Sequence, residues 1–226
     1  MKKLGIIIAT IVAISSVNAG VEHWQSEVSA GTRASHSRFE ATNSAICIDV
    51  GPLNGAMSFE FIVNSGPAGI SQTLLGGGSS VGGNTQGLKF EQYYDKGCWG
   101  ISTMGVEDWN SNVPNITGRS THVVFTTNGQ NSRIYVDGEL IVTNEALAIR
   151  ITGQTGLGGW SRVGGVLDDT LDGSILGFAS YNSELSAEEI RVHSKAFAST
   201  DEFKPEASTK VLLEVGGVAI GLKSRK

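Results

Sequence analysis

Thr121-His122-Val123-Val124-Phe125-Thr126-Thr127-Asn128-Gly129-Gln130-Asn131-Ser132-Arg133-Ile134-Tyr135-Val136-Asp137-Gly138-Glu139-Leu140-Ile141-Val142-Thr143 holds two turns and three apolar runs in 23 residues. Asp137-Gly138 sits between "RIYV" and "ELIV". Both central residues of a tight two-residue hairpin need positive φ, and Asp-Gly supplies it at low steric cost. Asn128-Gly129 marks the preceding turn by the same reasoning. Three consecutive antiparallel strands follow from this stretch alone.

The pattern extends outward. In "MSFEFIVN" the residues alternate, so Met57, Phe59, Phe61 and Val63 share one face of a strand. "LKFEQYY" (Leu88 to Tyr94) reads as another strand. Before it lies "LLGGGSSVGGNTQG", which lacks the lysine of a phosphate-binding loop and precedes no helix, so it reads as a flexible loop. The chain has 30 glycines and 4 prolines. Short strands joined by such turns indicate a sandwich or barrel. One helix is expected, "SAEEIRVHSKAF", with Ser186 as N-cap and Glu189 completing a capping box. It is short and should lie on the surface of the sandwich.

The two ends read as addresses. Lys2 and Lys3 precede an uncharged, mostly apolar stretch, Leu4 to Val17, and Val17-Asn18-Ala19 offers small residues for cleavage before Gly20. Residues 1–19 are therefore expected to be a signal peptide, and residues 20–203 one domain. The remaining chain has 15 basic against 22 acidic residues, which argues against a nucleic-acid partner. Cys47 and Cys98 are the only cysteines. An even pair in an exported chain suggests a disulfide, which would contribute roughly 4 kcal/mol on the chain-entropy estimate. The alternative is two buried thiols held apart.

The stretches "THVVFTTNGQNSRIYVDGELI" and "LDGSILGFASYNSELSAEEI" together resemble the laminin G-like (concanavalin A-like) jelly-roll domains of secreted bacterial proteins. The resemblance covers Ser120 to Ile190. It implies an all-β jelly-roll β-sandwich with one short surface helix near the C-terminus. Many members have Ile-Asp-Glu after the glycine of the last strand. Here Ile175 is followed by Leu176 and Gly177, so those two carboxylates are absent. The tail, residues 204–226, resembles an exosortase (PEP-CTERM) sorting signal of Gram-negative bacteria. Pro205-Glu206 is followed by an apolar run, Val211 to Leu222, and a terminal Lys223, Arg225, Lys226 cluster. It departs from that signal at Ala207, where a second proline belongs, and at Lys210 and Glu214. The implied destination is the cell surface or extracellular matrix, with the membrane engaged only transiently through this tail. The alternative is an amphipathic C-terminal element of the domain.

The fold hosts lectins, hydrolases, lyases and adhesive modules alike, so function must come from residues. Retaining glucanases of this fold carry a Glu-x-Asp-x-(x)-Glu strand, and this chain has none. Adjacent Glu107 and Asp108 would face opposite sides of a strand. The Arg-x-Glu and Gln-Ile-His strands of lyases are also missing. His23, His36, His122 and His193 are scattered without metal-ligand spacing, and His122 reads as a hydrogen-bonded packing residue. Asp168, Asp169 and Asp172 cluster in "LDDTLDG" and could offer hard oxygen ligands to calcium, or form only a solvated acidic turn. Trp160 in "TGLGGWSRVGG" and Trp109 in "VEDWNSN" are candidates for stacking on a sugar ring, or for core packing. The expectation is a secreted, non-catalytic module that binds a polysaccharide or a surface protein. The alternatives are a polysaccharide-active enzyme and a structural matrix component.

Overall fold

A computed structural model describes residues 34–37, 41–42, 46–50, 55–66, 72–77, 86–91, 97–103, 107–151, 153–161 and 167–198. The expected signal peptide and sorting tail lie outside these residues. In chain order the strands are β1 (Ala34–Ser37), β2 (Ala41–Thr42), β3 (Ile46–Asp49), β4 (Met57–Ser65), β5 (Gln72–Gly77), β6 (Gln86–Glu91), β7 (Cys98–Thr103) and β8 (Glu107–Pro114). They continue with β9 (Thr121–Thr127), β10 (Ser132–Val136), β11 (Glu139–Asn144), β12 (Gln154–Leu157), β13 (Trp160–Ser161), β14 (Leu167–Asp168) and β15 (Gly173–Tyr181). One helix, α1 (Ala187–Ala198), follows.

The strands form two sheets. One runs β1-β15-β4-β9-β10-β11, with β2 also on β15. The other runs β14-β13-β5-β6-β7-β8, with β12 joining β5 to β3. Pairing between strands is antiparallel except for the single β13–β5 contact. The opening stretch forms β9, β10 and β11 as its turns demand. Asp137 and Gly138 have φ of 51° and 85°, and Gly129 has φ of 92°.

Alternation then decides the core. Met57, Phe59, Phe61 and Val63 of β4 meet Val123 and Phe125 of β9 between the sheets. Leu75, Leu88, Trp99 and Ile101 come from the opposite sheet. The Trp99 and Phe125 rings cross the interface edge to face, with centroids 6.4 Å apart. The other face of β4 is buried as well, because α1 covers it. Ile62, Val124, Tyr135, Ala179 and Tyr181 pack under Leu185, Ile190 and Phe197. The capping box is formed. Glu189 N donates to Ser186 Oγ at 3.2 Å, and Ser186 N donates to Glu189 Oε2 at 2.8 Å.

The glycine-rich stretch departs from its reading as a loop. Its first residues, Leu74 to Gly77, belong to β5, and Gln86 and Gly87 open β6. The reason is the neighbour these glycines accept. A Cβ on Gly87 would lie 2.1 Å from Cζ3 of Trp160, and one on Gly76 would lie 3.1 Å from its Cε3. Residues 78–85 lie outside the described residues.

The hairpin turn is the most exacting local requirement. A Cβ on Gly138 would meet Ser194 Cβ of α1 at 3.0 Å, at a φ that L side chains rarely adopt. Gly138→Ala should therefore lower stability by at least about 1 kcal/mol, read from urea denaturation, whereas an alanine at exposed Glu139 should change it little.

Candidate functional site

Three polar regions stand out, and the register explains each. The first lies between the sheet and α1. Glu60 of β4 is fully buried. His122 Nε2 lies 2.7 Å from its Oε1, Tyr181 donates its hydroxyl to Oε2 at 2.7 Å, and His193 Nδ1 lies 3.1 Å from Oε2. His122 Nδ1 has no partner, which assigns the proton to Nε2 and makes the ring a donor to Glu60. Burial alone would raise the Glu60 carboxyl. The hydrogen bonds and proximity of His122 and His193 outweigh it and hold the group well below its ordinary 4.5. His122 is thus the packing histidine the sequence suggested. Glu60 was not anticipated, because its three partners are remote in sequence. Neither Glu60 nor His122 is accessible to a substrate, and the group serves as an anchor for α1.

The second region is the outer face of the β5–β8 sheet. Leu75 and Leu88 are opposite one another and point into the core, so the next pair, Gly76 and Gly87, faces outward. The Trp160 ring lies over these two glycines and is only 3% exposed. Trp109 pairs with Ile101 on the inward side of β8 and packs partly buried against the core. Neither tryptophan therefore presents the open ring that sugar stacking needs, which corrects that expectation. Further along the outer row, Ser102 donates its hydroxyl to Asp108 Oδ1.

The cysteines are not brought together. Cys47 stands in β3 opposite Gly156 of β12, while Cys98 stands in β7. Strands β12, β5 and β6 lie between them. Four strand steps of about 4.8 Å exceed the reach of a disulfide, so this register corrects the expected bridge.

The third region is an end of the sandwich. Past Val63↔Thr121, β4 leaves β9, and Ser65 bridges Thr117 instead. The opening leaves a depression of about 450 Å³ lined by Asn64, Ser65, Gly66, Thr117, Gly118, Gly173 and Ser174. Asn64 and Ser174 are paired across β4 and β15. Ser65 Oγ donates to Asn115 Oδ1 at 2.9 Å. The acidic loop forms one rim. Asp172 O accepts from Gly66 N at 2.5 Å, and a Cβ on Gly66 would lie 2.8 Å from Asp172 Oδ2. Gln72 Oε1 accepts from Asp172 N, and Thr73 N donates to Asp169 O, both at 2.8 Å. These bonds tie the loop to β5 and leave the Asp169 and Asp172 residues exposed. Asp168 is opposite Trp160 in register, and its side chain lies outside the described residues. Among the described residues no group of three or more His, Cys, Asp or Glu is arranged for a metal ion.

This architecture matches a known family. The sequence profile Laminin_G_3, of the concanavalin A-like lectin/glucanases superfamily, matches residues 40–191. The chain belongs to this superfamily. No curated protein matches it in sequence. Among solved structures it is similar to the Ruminococcus gnavus IT-sialidase CBM40, at 18% identity and TM-score 0.54, over 71% of this chain and 98% of that one. It is similar to domain 4 of AbnA, a GH43 extracellular arabinanase from Geobacillus stearothermophilus, solved with arabinotriose, at 13% identity and TM-score 0.51, over 74% and 91%. It is also similar to a structure of NanB plus Optactamide at 16% identity and TM-score 0.54, over 70% of this chain and 27% of that longer one. At these identities the likeness carries the fold alone: two β-sheets in a jelly-roll sandwich with one short helix.

The anchor has a pH signature. The Glu60 carboxyl is depressed on folding, so its stabilisation is fully present above 4.5 and is lost as pH falls from there toward its folded value. Melting temperature should decline through that acid range, and Glu60→Gln should flatten the decline. Glu60→Ala should lose on the order of 3–5 kcal/mol at neutral pH, because it strands the buried partners.

Proposed function

We propose that the chain is a non-catalytic glycan-binding module that acts outside the cell. The observation that carries this reading is the depression at the β4 end of the sandwich. An amide (Asn64) and two hydroxyls (Thr117, Ser174) meet there on a rigid frame, with the Asp172 carboxylate on the rim. Such groups suit the hydroxyls of a sugar, which exchange hydrogen bonds with water for hydrogen bonds with protein. Two similar structures matched over most of their length support the reading, one a CBM40 module and one an arabinanase domain solved with arabinotriose. A non-catalytic role is favoured because, among the described residues, the buried carboxylate held by histidines, Glu60, is closed to substrate. The exported location rests on the N-terminal and C-terminal signals of the sequence. Calcium bound through Asp168, Asp169 or Asp172 is part of this reading, and added Ca²⁺ should then raise the melting temperature above that in EDTA, whereas an unchanged melt removes calcium from it.

Affinity electrophoresis in gels loaded with arabinan, sialylated and neutral glycans tests the reading. At least one polysaccharide should retard the chain without loss of polymer length or release of reducing ends. Asn64→Ala with Thr117→Ala should abolish most of the retardation and leave the melting temperature nearly unchanged, since both side chains are exposed. Turnover of any of these polymers would instead make the chain an enzyme. Unretarded migration on every gel would favour a passive matrix component.

A further inference from the structure

The end depression carries a charge pattern as well as hydrogen-bonding groups. Its lining is uncharged: an amide at Asn64, hydroxyls at Ser65, Thr117 and Ser174, and three glycines. Among the described residues the charge placed against that lining is the Asp172 carboxylate, whose Oδ2 would be 2.8 Å from a Cβ on Gly66. Gly66 has no Cβ, and this leaves the carboxylate its seat on the rim. The main chain of Asp172 is held on both sides. Its N–H donates to Oε1 of Gln72, which is fully buried, and its carbonyl accepts from Gly66 N. The side chain can rotate, but its Cα cannot withdraw from the rim.

Among the described residues no basic side chain lines the depression. Arg119 follows Gly118 of the lining in sequence, yet its Nη2 donates to Asp137 Oδ2 at 2.5 Å and its Nη1 to Ser120 O at 3.1 Å. Both bonds draw the guanidinium toward the β10–β11 turn. Arg133 and Arg191 are likewise paired, with Glu184 and Glu188. The stretch that follows Gly66, Pro67 to Ser71, contains no ionisable residue. Asp169, three residues before Asp172, is exposed and adds charge of the same sign. An acid group is held best by an arginine fork or by free backbone amides. Gly66 N, an amide that could serve an anion here, is already given to Asp172 O.

We propose that the depression prefers uncharged glycans to acidic ones and that Asp172 sets the preference. The inference rests on the glycan-binding reading and adds the class of sugar. A space of about 450 Å³ is about as wide as the Debye length at physiological salt, about 8 Å. A carboxylate or sulfate anywhere on a seated sugar therefore stays within the field of Asp172. Like charges a few ångströms apart at a partly hydrated surface repel strongly enough to shift an affinity about tenfold. The hydroxyl of a neutral sugar gains from the same group, because an ionised acceptor takes its hydrogen bond more strongly than a neutral one. One residue thus favours one class and repels the other, and specificity is that difference. The formal charge of −5 repels any polyanion at longer range, so the local effect of Asp172 must be separated from it.

Calorimetric titration of the full chain in EDTA, which keeps metal off the carboxylate, tests the preference. Arabinan, galactan and a β-glucan are the probes, each substituted to equal density with carboxymethyl or with uncharged hydroxyethyl groups. For each polymer bound, the hydroxyethyl form should bind about tenfold more tightly at low salt, and the ratio should shrink as salt rises. Asp172→Asn keeps the side-chain shape and should bring the ratio to within about twofold of one. Glu139→Gln makes the same charge change at an exposed position on β11 and should leave the ratio as in the wild type. Both variants should melt with the wild type, since both side chains are exposed. Equal affinities for the two forms, or a wild-type ratio indifferent to salt, overturn the proposal without any variant and leave the glycan reading standing. A ratio that Asp172→Asn preserves, or that Glu139→Gln lowers as much, does the same. If no polymer binds, the preference and the reading beneath it both fall.

Discussion

Glu60 receives hydrogen bonds from three different elements: His122 of β9, Tyr181 of β15 and His193 of α1. A carboxylate in that position is costly to bury alone, so each partner is required. It fixes β4 between β9 and β15, the central neighbours of its sheet. It also seats α1 over Ile62, Val124 and Tyr135, which would otherwise be an exposed apolar face. With α1 in place, β4 is covered on both sides up to Val63, and only Asn64 turns outward. The opening beyond Val63 is where the end depression forms. The anchor and the candidate ligand site are thus consecutive features of one strand.

The sequence made the local geometry readable. Asp137-Gly138 specifies its turn through backbone conformation, alternation from Met57 to Val63 selects the core face, and Ser186 with Glu189 starts the helix. Each of these signals involves residues close in the chain. The features that were not readable depend on register between distant strands. Trp160 seemed a loop residue free to stack on sugar, yet β13 aligns it with Gly76, and the bare glycine backbone accepts its ring. Those same glycines were mistaken for loop because the ring that makes them necessary comes from a segment more than seventy residues away. Cys47 and Cys98 looked pairable by count, but sheet order separates them. Asp169 and Asp172 are exposed, and the place of Asp172 against Gly66, on the rim beside Asn64, arises only from the way β4 and β15 meet.

The division between structure and function follows from this arrangement. The groups with the strongest chemistry, a carboxylate and two histidines, are consumed in holding a helix. The groups at the end depression are an amide, hydroxyls and an exposed carboxylate, which offer hydrogen bonds at the surface. The chain shares its sandwich with the concanavalin A-like superfamily, a fold whose members differ in what they attach to a common frame.

The central claim is that the β4 end of the sandwich recognises a sugar. Backbone and side-chain NMR shifts of the isotopically labelled chain, followed during titration with arabino- and sialo-oligosaccharides, test it residue by residue. The account predicts saturable shifts confined to Asn64, Ser65, Gly66, Thr117, Gly118, Asp172 and Ser174, with Glu60 and Trp160 unmoved. Shifts centred on the outer face of the β5–β8 sheet, or none for any sugar, would contradict it.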